Sequence, residues 1–143
     1  MAATDTAIAL TKTAAVAAED KKGRQIVAFD VSEQLAITDI FLVITASNEP
    51  QVGAIVDEIE EKLRELDLKP VRREGDREKR WVLLDYLEVV IHVQHSEERE
   101  LYSLERLWRD CPEIDLSDVL DESSQSPSQP SSTEETPVEE EQE

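Results

Sequence analysis

RWVLLDYLEVVIHVQHSEERELYSLERLW, residues 80–108, joins two strands and a helix in one uninterrupted run. Side chains alternate along a strand, so Val82 and Leu84 share one face while Trp81, Leu83 and Asp85 share the other. Residues 89–94 are apolar apart from His92 and Gln94, as suits a strand inside a sheet. Leu87 and Glu88 between them leave room only for a tight connection, so residues 80–86 and 89–94 read as a hairpin. Ser96 is the expected cap of the helix that follows, with Glu97 and Glu98 at the positive end of its dipole. Leu101, Leu104 and Trp108 then fall on its inner face, flanked by Tyr102 and Leu107.

This fifth of the chain also holds both tryptophans, both tyrosines and both histidines of the 143 residues. Contact chemistry is concentrated there, and so is the expected partner surface. If Val82 and Leu84 face the helices, Trp81 stands open beside Leu83 and Asp85, the makeup of an interface anchor. The alternative is that helices cover both faces and Trp81 is core.

Upstream, residues 5–20 read as an alanine-rich helix capped by Asp5, and residues 25–31 as a buried strand. Residues 40–45, IFLVIT, form a stronger strand. Asn48, with Gln51 three residues on and Pro50 between, has capping-box spacing. Val52, Ile55, Val56, Ile59 and Leu63 recur at helical spacing, while Asp57, Glu58, Glu60, Glu61, Lys62 and Arg64 take the other side. Val71 and Arg72 suggest a short strand before a charged loop that turns at Gly75. The order α, β, β, α, β, β, β, α indicates an α/β domain: a mixed sheet of about five strands with helices packed on it.

The formal charge of −19 is uneven, because residues 121–143 carry eight acids and no Lys or Arg, leaving residues 1–120 at about −11. The expected division is one α/β domain over residues 1–120 and an acidic, Ser/Pro/Glu-rich disordered tail over 121–143. The mean field repels phosphate backbones, so little or no direct nucleic-acid binding is expected. Lys69, Arg72, Arg73, Arg77, Lys79 and Arg80 are the one basic cluster, and Glu74, Asp76 and Glu78 interrupt it. Cys111 is the single cysteine, which fits a reducing compartment; no membrane-length apolar run or basic leader is present, so a cytoplasmic location is expected.

Catalytic patterns are missing. His92 and His95 have H-x-x-H spacing, but on a strand they diverge, and His92 is expected to pack or hydrogen-bond at the sheet surface. Cys111 lies between Asp110 and Glu113 with no base to activate it, as suits a structural thiol. Gly23, Gly53 and Gly75 never cluster, so no phosphate-binding loop can be written. No metal or other cofactor and no catalytic residue is expected. Asp39 is expected to tie the loop at 32–38 to neighbouring amides.

Three segments, ITDIFLVITASNEPQV at 37–52, REG at 73–75 and WVLLDYLEVVIHVQHSEERELYSLERLW at 81–108, resemble the ribosomal silencing factors, a bacterial family related to plant Iojap. The resemblance implies a small α/β fold distantly like nucleotidyltransferases, with no enzymatic activity. It also implies binding to the fourteenth protein of the large ribosomal subunit, steric blockage of small-subunit joining, slower translation when nutrients are scarce, and homodimers. By the same resemblance Trp81 and its strand neighbours Leu83 and Asp85, with Tyr86 and His92, belong to the partner-binding surface, and Tyr102 and Trp108 match recurring positions. Two departures stand out: Leu87 where many members have glycine, and Glu49–Pro50 where many have a basic residue. Other readings left open are a large-subunit assembly factor, a scaffold dimer independent of ribosomes, and a degenerate nucleotidyltransferase that binds nucleotide.

Overall fold

A computed structural model describes residues 3–101, 106 and 108–120. In it the alternating and continuous apolar runs become α1 (Asp5–Asp20), β1 (Arg24–Asp30), β2 (Ile40–Ala46), α2 (Glu49–Arg64), β3 (Arg72–Glu74), β4 (Trp81–Asp85), β5 (Val89–His95) and α3 (Ser96–Leu101). The five strands form one sheet in the order β1-β2-β5-β4-β3. β2 and β5 run parallel; the remaining neighbours are antiparallel. The mixed α/β sheet expected from the element order is therefore the fold.

α1 and α2 cover one face. Leu42, Ile44, Val82, Leu84, Ile91 and Val93 point into that layer, where they meet Val52, Ile55, Ile59 and Leu63 of α2 and the small side chains Ala14 and Ala18 of α1. Alanine lets α1 approach closely, and burying the branched residues supplies most of the stabilisation. Glu60, expected on the solvent side of α2, is instead buried, because Arg73 donates to both of its carboxylate oxygens at 2.9 Å.

The helix starts differ in detail from the sequence expectation. Thr4, not Asp5, caps α1: its hydroxyl accepts from the Ala7 amide at 3.1 Å, leaving Asp5 in the first turn. Asn48 caps α2 as its spacing requires, accepting from the Gln51 amide at 2.8 Å. The Gln51 side chain reaches back one residue beyond the cap and does more besides. Its carbonyl oxygen accepts from the Ser47 amide, and its side-chain nitrogen donates to the Lys21 and Lys22 carbonyls at 3.0 and 2.9 Å, tying the end of α1 to the start of α2. Ser96 does not cap α3; that role falls to His95, whose Nδ1 accepts from the Glu97 amide at 3.1 Å. Leu101, expected on the inner face of α3, is 72% exposed. Tyr102, Leu104, Leu107 and the segment from 121 onward lie outside the described residues.

Both sheet edges are managed. β1 is covered by residues 112–114, with Asp30 N–H donating to the Pro112 carbonyl (2.7 Å) and Ile114 N–H to the Ala28 carbonyl (2.8 Å). The other edge, β3, is three residues long and charged, two features that discourage edge-to-edge pairing.

The β4–β5 turn occurs at Leu87 and Glu88, as expected. Leu87 has φ 72°, and its N–H donates to Asp85 Oδ1 at 2.8 Å. A left-handed leucine is strained by about 1–3 kcal/mol, against which glycine carries about 0.5–1 kcal/mol of extra backbone entropy in the unfolded chain. Leu87→Gly is therefore expected to raise stability by about 1 kcal/mol, measured as a higher midpoint in thermal melts. A lower midpoint would mean that the half-exposed leucine side chain is held by contacts worth more than the strain.

Candidate functional site

Strand register lays out the second face of the sheet in rows. One row reads Val27, Val43, His92, Leu83, Glu74 across the five strands, and the next reads Phe29, Phe41, Val90, Asp85, Arg72. The β1 and β2 end of these rows is apolar and closed: Phe29, Val31, Val43 and Cys111 are buried, with Leu35, Phe41 and Trp108 packed around them. The β4 end is more open. Trp81, Leu83 and Asp85 are each partly exposed, while Val82 and Leu84 between them are buried under the helices.

Trp81 thus falls between the two expectations. One side of its indole is held by the sheet, since Nε1–H donates to His92 Nδ1 at 3.1 Å and the ring centroids lie 6.1 Å apart. Phe41 continues the cluster, 5.2 Å from His92 and 5.2 Å from Trp108, the latter edge-on. Tilted and edge-to-face arrangements of this kind add to the stabilisation from area burial alone. Sequence reasoning did not single out Phe41. The signal was available, because alternation in β2 puts Phe41, Val43 and Thr45 opposite Leu42 and Ile44.

Of the five residues expected to bind a partner, Trp81, Leu83, Asp85 and His92 lie on this face. Tyr86 does not. It is buried in the helix-side core, with burial, reinforced by Glu60, pushing its hydroxyl up to about 12. Tyr86 is in phase with Val82 and Leu84, so the pleat itself carries it to the helix side and away from the Trp81 face. Asp85 serves two partners, accepting from the Leu87 amide and standing 3.9 Å from the Arg72 guanidinium.

Arg80 fixes the start of β4. Its guanidinium donates to Glu49 at 2.9 Å and Glu97 at 2.7 Å, acids in the first turns of α2 and α3, and its carbonyl accepts from His95 N–H at 2.8 Å. These hydrogen bonds hold both carboxyls below their ordinary range. Glu49, unmatched to a role by sequence reading, thus has a structural partner. Arg99, also absent from the sequence expectation, is buried and donates to the Thr45 hydroxyl and, at 2.9 Å, to the Gln25 carbonyl, fastening α3 to β1 and β2.

His92 and His95 stand three residues apart on β5 and do different work, the first as acceptor for Trp81 and the second as a helix cap. Among the described residues no group of three or more His, Cys, Asp or Glu could hold a metal. Asp39 does not tie down the 32–38 loop; it accepts from the Thr4 amide at 3.1 Å, while Asp30 holds Ser32. Among the described residues no helix is long and apolar enough to cross a membrane.

Burial pushes the His92 imidazole down to about 4 from an ordinary 6.5. The unfolded chain then binds the extra proton first, so stability is complete above about pH 6.5 and declines as pH falls toward 4. Protonation at Nδ1 would also displace the Trp81 hydrogen bond. A decline of about 3 kcal/mol is expected across that window, read from denaturant melts, and His92→Phe should flatten it. An unchanged slope in that variant would assign the acid sensitivity to other groups.

The sequence matches the family described as "RsfS: Ribosomal silencing factor during starvation" over residues 4–142. A Bacillus subtilis protein named ribosomal silencing factor RsfS is 41% identical over 105 residues, covering 73% of this chain and 89% of its own length. A crystal structure from Bacillus halodurans superimposes with a TM-score of 0.67 at 38% identity, covering 76% of this chain and 98% of that one. More distant are maize "Protein Iojap, chloroplastic", 28% identical over 71% of this chain, and mouse "Mitochondrial assembly of ribosomal large subunit protein 1", 28% identical over 62%. With a family match spanning nearly its whole length and a named member 41% identical over 73% of it, this chain belongs to the ribosomal silencing factor family.

Proposed function

We propose that this chain binds the large ribosomal subunit through its fourteenth protein and sterically blocks joining of the small subunit, repressing translation under nutrient limitation in the cytoplasm. The observation that carries the reading is the half-open β4 end of the sheet, where Trp81 and Leu83 present apolar surface over the buried His92 and Asp85 adds a carboxylate. An apolar centre with a charged rim has the composition of a protein interface. Ribosomal proteins are generally basic, and residues 1–120 carry about −11, so long-range attraction speeds encounter while the aromatic patch holds the complex. No catalytic step is assigned to the chain.

Sedimentation of the purified protein with isolated subunits, followed by a joining assay on saturated large subunits, tests this. Comigration with the large subunit alone, with joining blocked, is the expected result. Binding without a block would favour a role in large-subunit assembly, the second reading, which the name of the mouse relative supports. A dimer that binds neither subunit would point to a scaffold whose second copy occupies the Trp81 face.

A further inference from the structure

We propose, on the basis of the ribosomal reading, that the partner surface continues past β4 around the β4–β5 turn. There Leu87 and Ile37 form a second apolar contact for a basic segment of the same ribosomal protein. Ile37 is 71% exposed and Leu87 50%. Hydrogen bonds bring their distant segments together, since the Glu88 carbonyl accepts from the Asp39 and Ile40 amides at 2.7 and 3.0 Å. Both segments border the Trp81 face. The Asp85 carboxylate, which lies on that face, holds the Leu87 amide. Two residues before Ile37, Leu35 packs against the Phe29, Val31, Val43 and Cys111 cluster at the closed end of the same face.

The backbone under both side chains is fixed before any partner arrives. In the turn, Tyr86 N–H donates to the Val89 carbonyl and Glu88 N–H to the Tyr86 carbonyl, both at 2.9 Å. The 31–39 loop closes where Val31 N–H donates to the Asp39 carbonyl at 2.8 Å. Little ordering entropy is therefore lost on contact. Leu87 keeps a left-handed conformation, φ 72°, with half of its side chain in solvent. Strain that the domain's own packing does not use is typical of a surface that meets a ligand. Charge selects the occupant. No Lys or Arg occurs between Arg24 and Lys62 or between Arg80 and Arg99, the two stretches that build this corner. Asp39 and Glu88 accept from the Thr4 amide (3.1 Å) and hydroxyl (3.4 Å), uncharged donors that leave both negative charges in place. Arg72, which reaches toward Asp85 from β3, is shared with Glu74 at 3.2 Å. Such a corner repels phosphate backbones. A Lys- or Arg-rich protein segment with an aliphatic or aromatic side chain satisfies both its apolar and its acidic parts.

The test compares the affinities of the full-length parent, Leu87→Gly, Ile37→Ser and Glu88→Gln for isolated large subunits, by sedimentation over a range of salt concentrations. Leu87→Gly should bind about tenfold more weakly although it melts higher, an opposite movement that general loss of structure cannot produce. Ile37→Ser should bind about fivefold more weakly with the melting midpoint of the parent. Leu87→Met, which keeps an apolar side chain at the turn, should bind as the parent does. Glu88→Gln should weaken binding at low salt and reduce its salt dependence. Leu87→Gly and Ile37→Ser chains that bind like the parent, while Trp81→Ala does not, would overturn the proposal and leave the ribosomal reading standing. A parent that fails to bind large subunits would overturn both. A dimeric parent that Leu87→Gly turns into monomers, with subunit binding unchanged, would give the corner to a second copy of this chain and likewise overturn the proposal.

Discussion

Trp81→Ala is expected to weaken binding to the large ribosomal subunit by about 30-fold or more, the loss of about 2 kcal/mol typical of a central aromatic anchor. The indole is only partly exposed, and its orientation is set from below by the Nε1–H bond to His92. His92 in turn packs at a tilt against Phe41, and Phe41 edge-on against Trp108. The partner therefore meets a ring that is already immobilised, and little side-chain entropy is lost on binding. Some stability goes with the indole as well, about 2 kcal/mol for a large side chain that is half-buried. Affinity must therefore be measured on protein shown by circular dichroism to be folded. Trp81→Phe separates the two effects: it keeps an aromatic surface but leaves His92 Nδ1 without its donor. It should retain more binding than alanine while still lowering the melting midpoint. Folded Trp81→Ala that sediments with large subunits as the parent does would remove Trp81 from the interface.

Gly75→Ala is expected to be the most damaging single methyl group in the chain. Gly75 has φ 83°, and a Cβ built there would lie 2.0 Å from the Trp81 carbonyl oxygen. Left-handed strain and an overlap with backbone that cannot rotate away together amount to about 3 kcal/mol or more. The midpoint of thermal unfolding should fall by about 10 °C or more. Relief requires the turn to move away from the start of β4, so β3 should lose its hydrogen-exchange protection first. Because the clash falls on Trp81 itself, ribosome binding should drop further than the stability loss alone predicts. An alanine variant that melts like the parent would mean the turn can adopt another path without disturbing β4.

The two variants probe one piece of architecture from opposite sides. Gly75 lets the charged loop fold back tightly enough for β3 to pair with β4, and that pairing places Glu74 beside Leu83 and Arg72 beside Asp85. The charged rim of the proposed interface is therefore a product of the turn, and the apolar centre a product of the β4–β5 register. Arg80, held by Glu49 and Glu97, links both to the starts of α2 and α3.

The local elements were legible in the sequence, because each follows from neighbouring residues. The alternation of Trp81 to Asp85, the Asn48–Gln51 cap, the helical spacing from Val52 to Leu63 and the tight connection at Leu87 are set by backbone geometry and side-chain period. Those features settled an α/β domain and put Trp81, Leu83 and Asp85 on one side of a strand. Only the tertiary structure decided what lay across from them. That Trp81 is half-held by His92, that Phe41 completes the cluster, and that Glu60 is buried by Arg73 all depend on strand order and on residues distant in sequence. Local pattern carries no record of such partners, since a half-polar strand face reads the same whether water or another ring covers it.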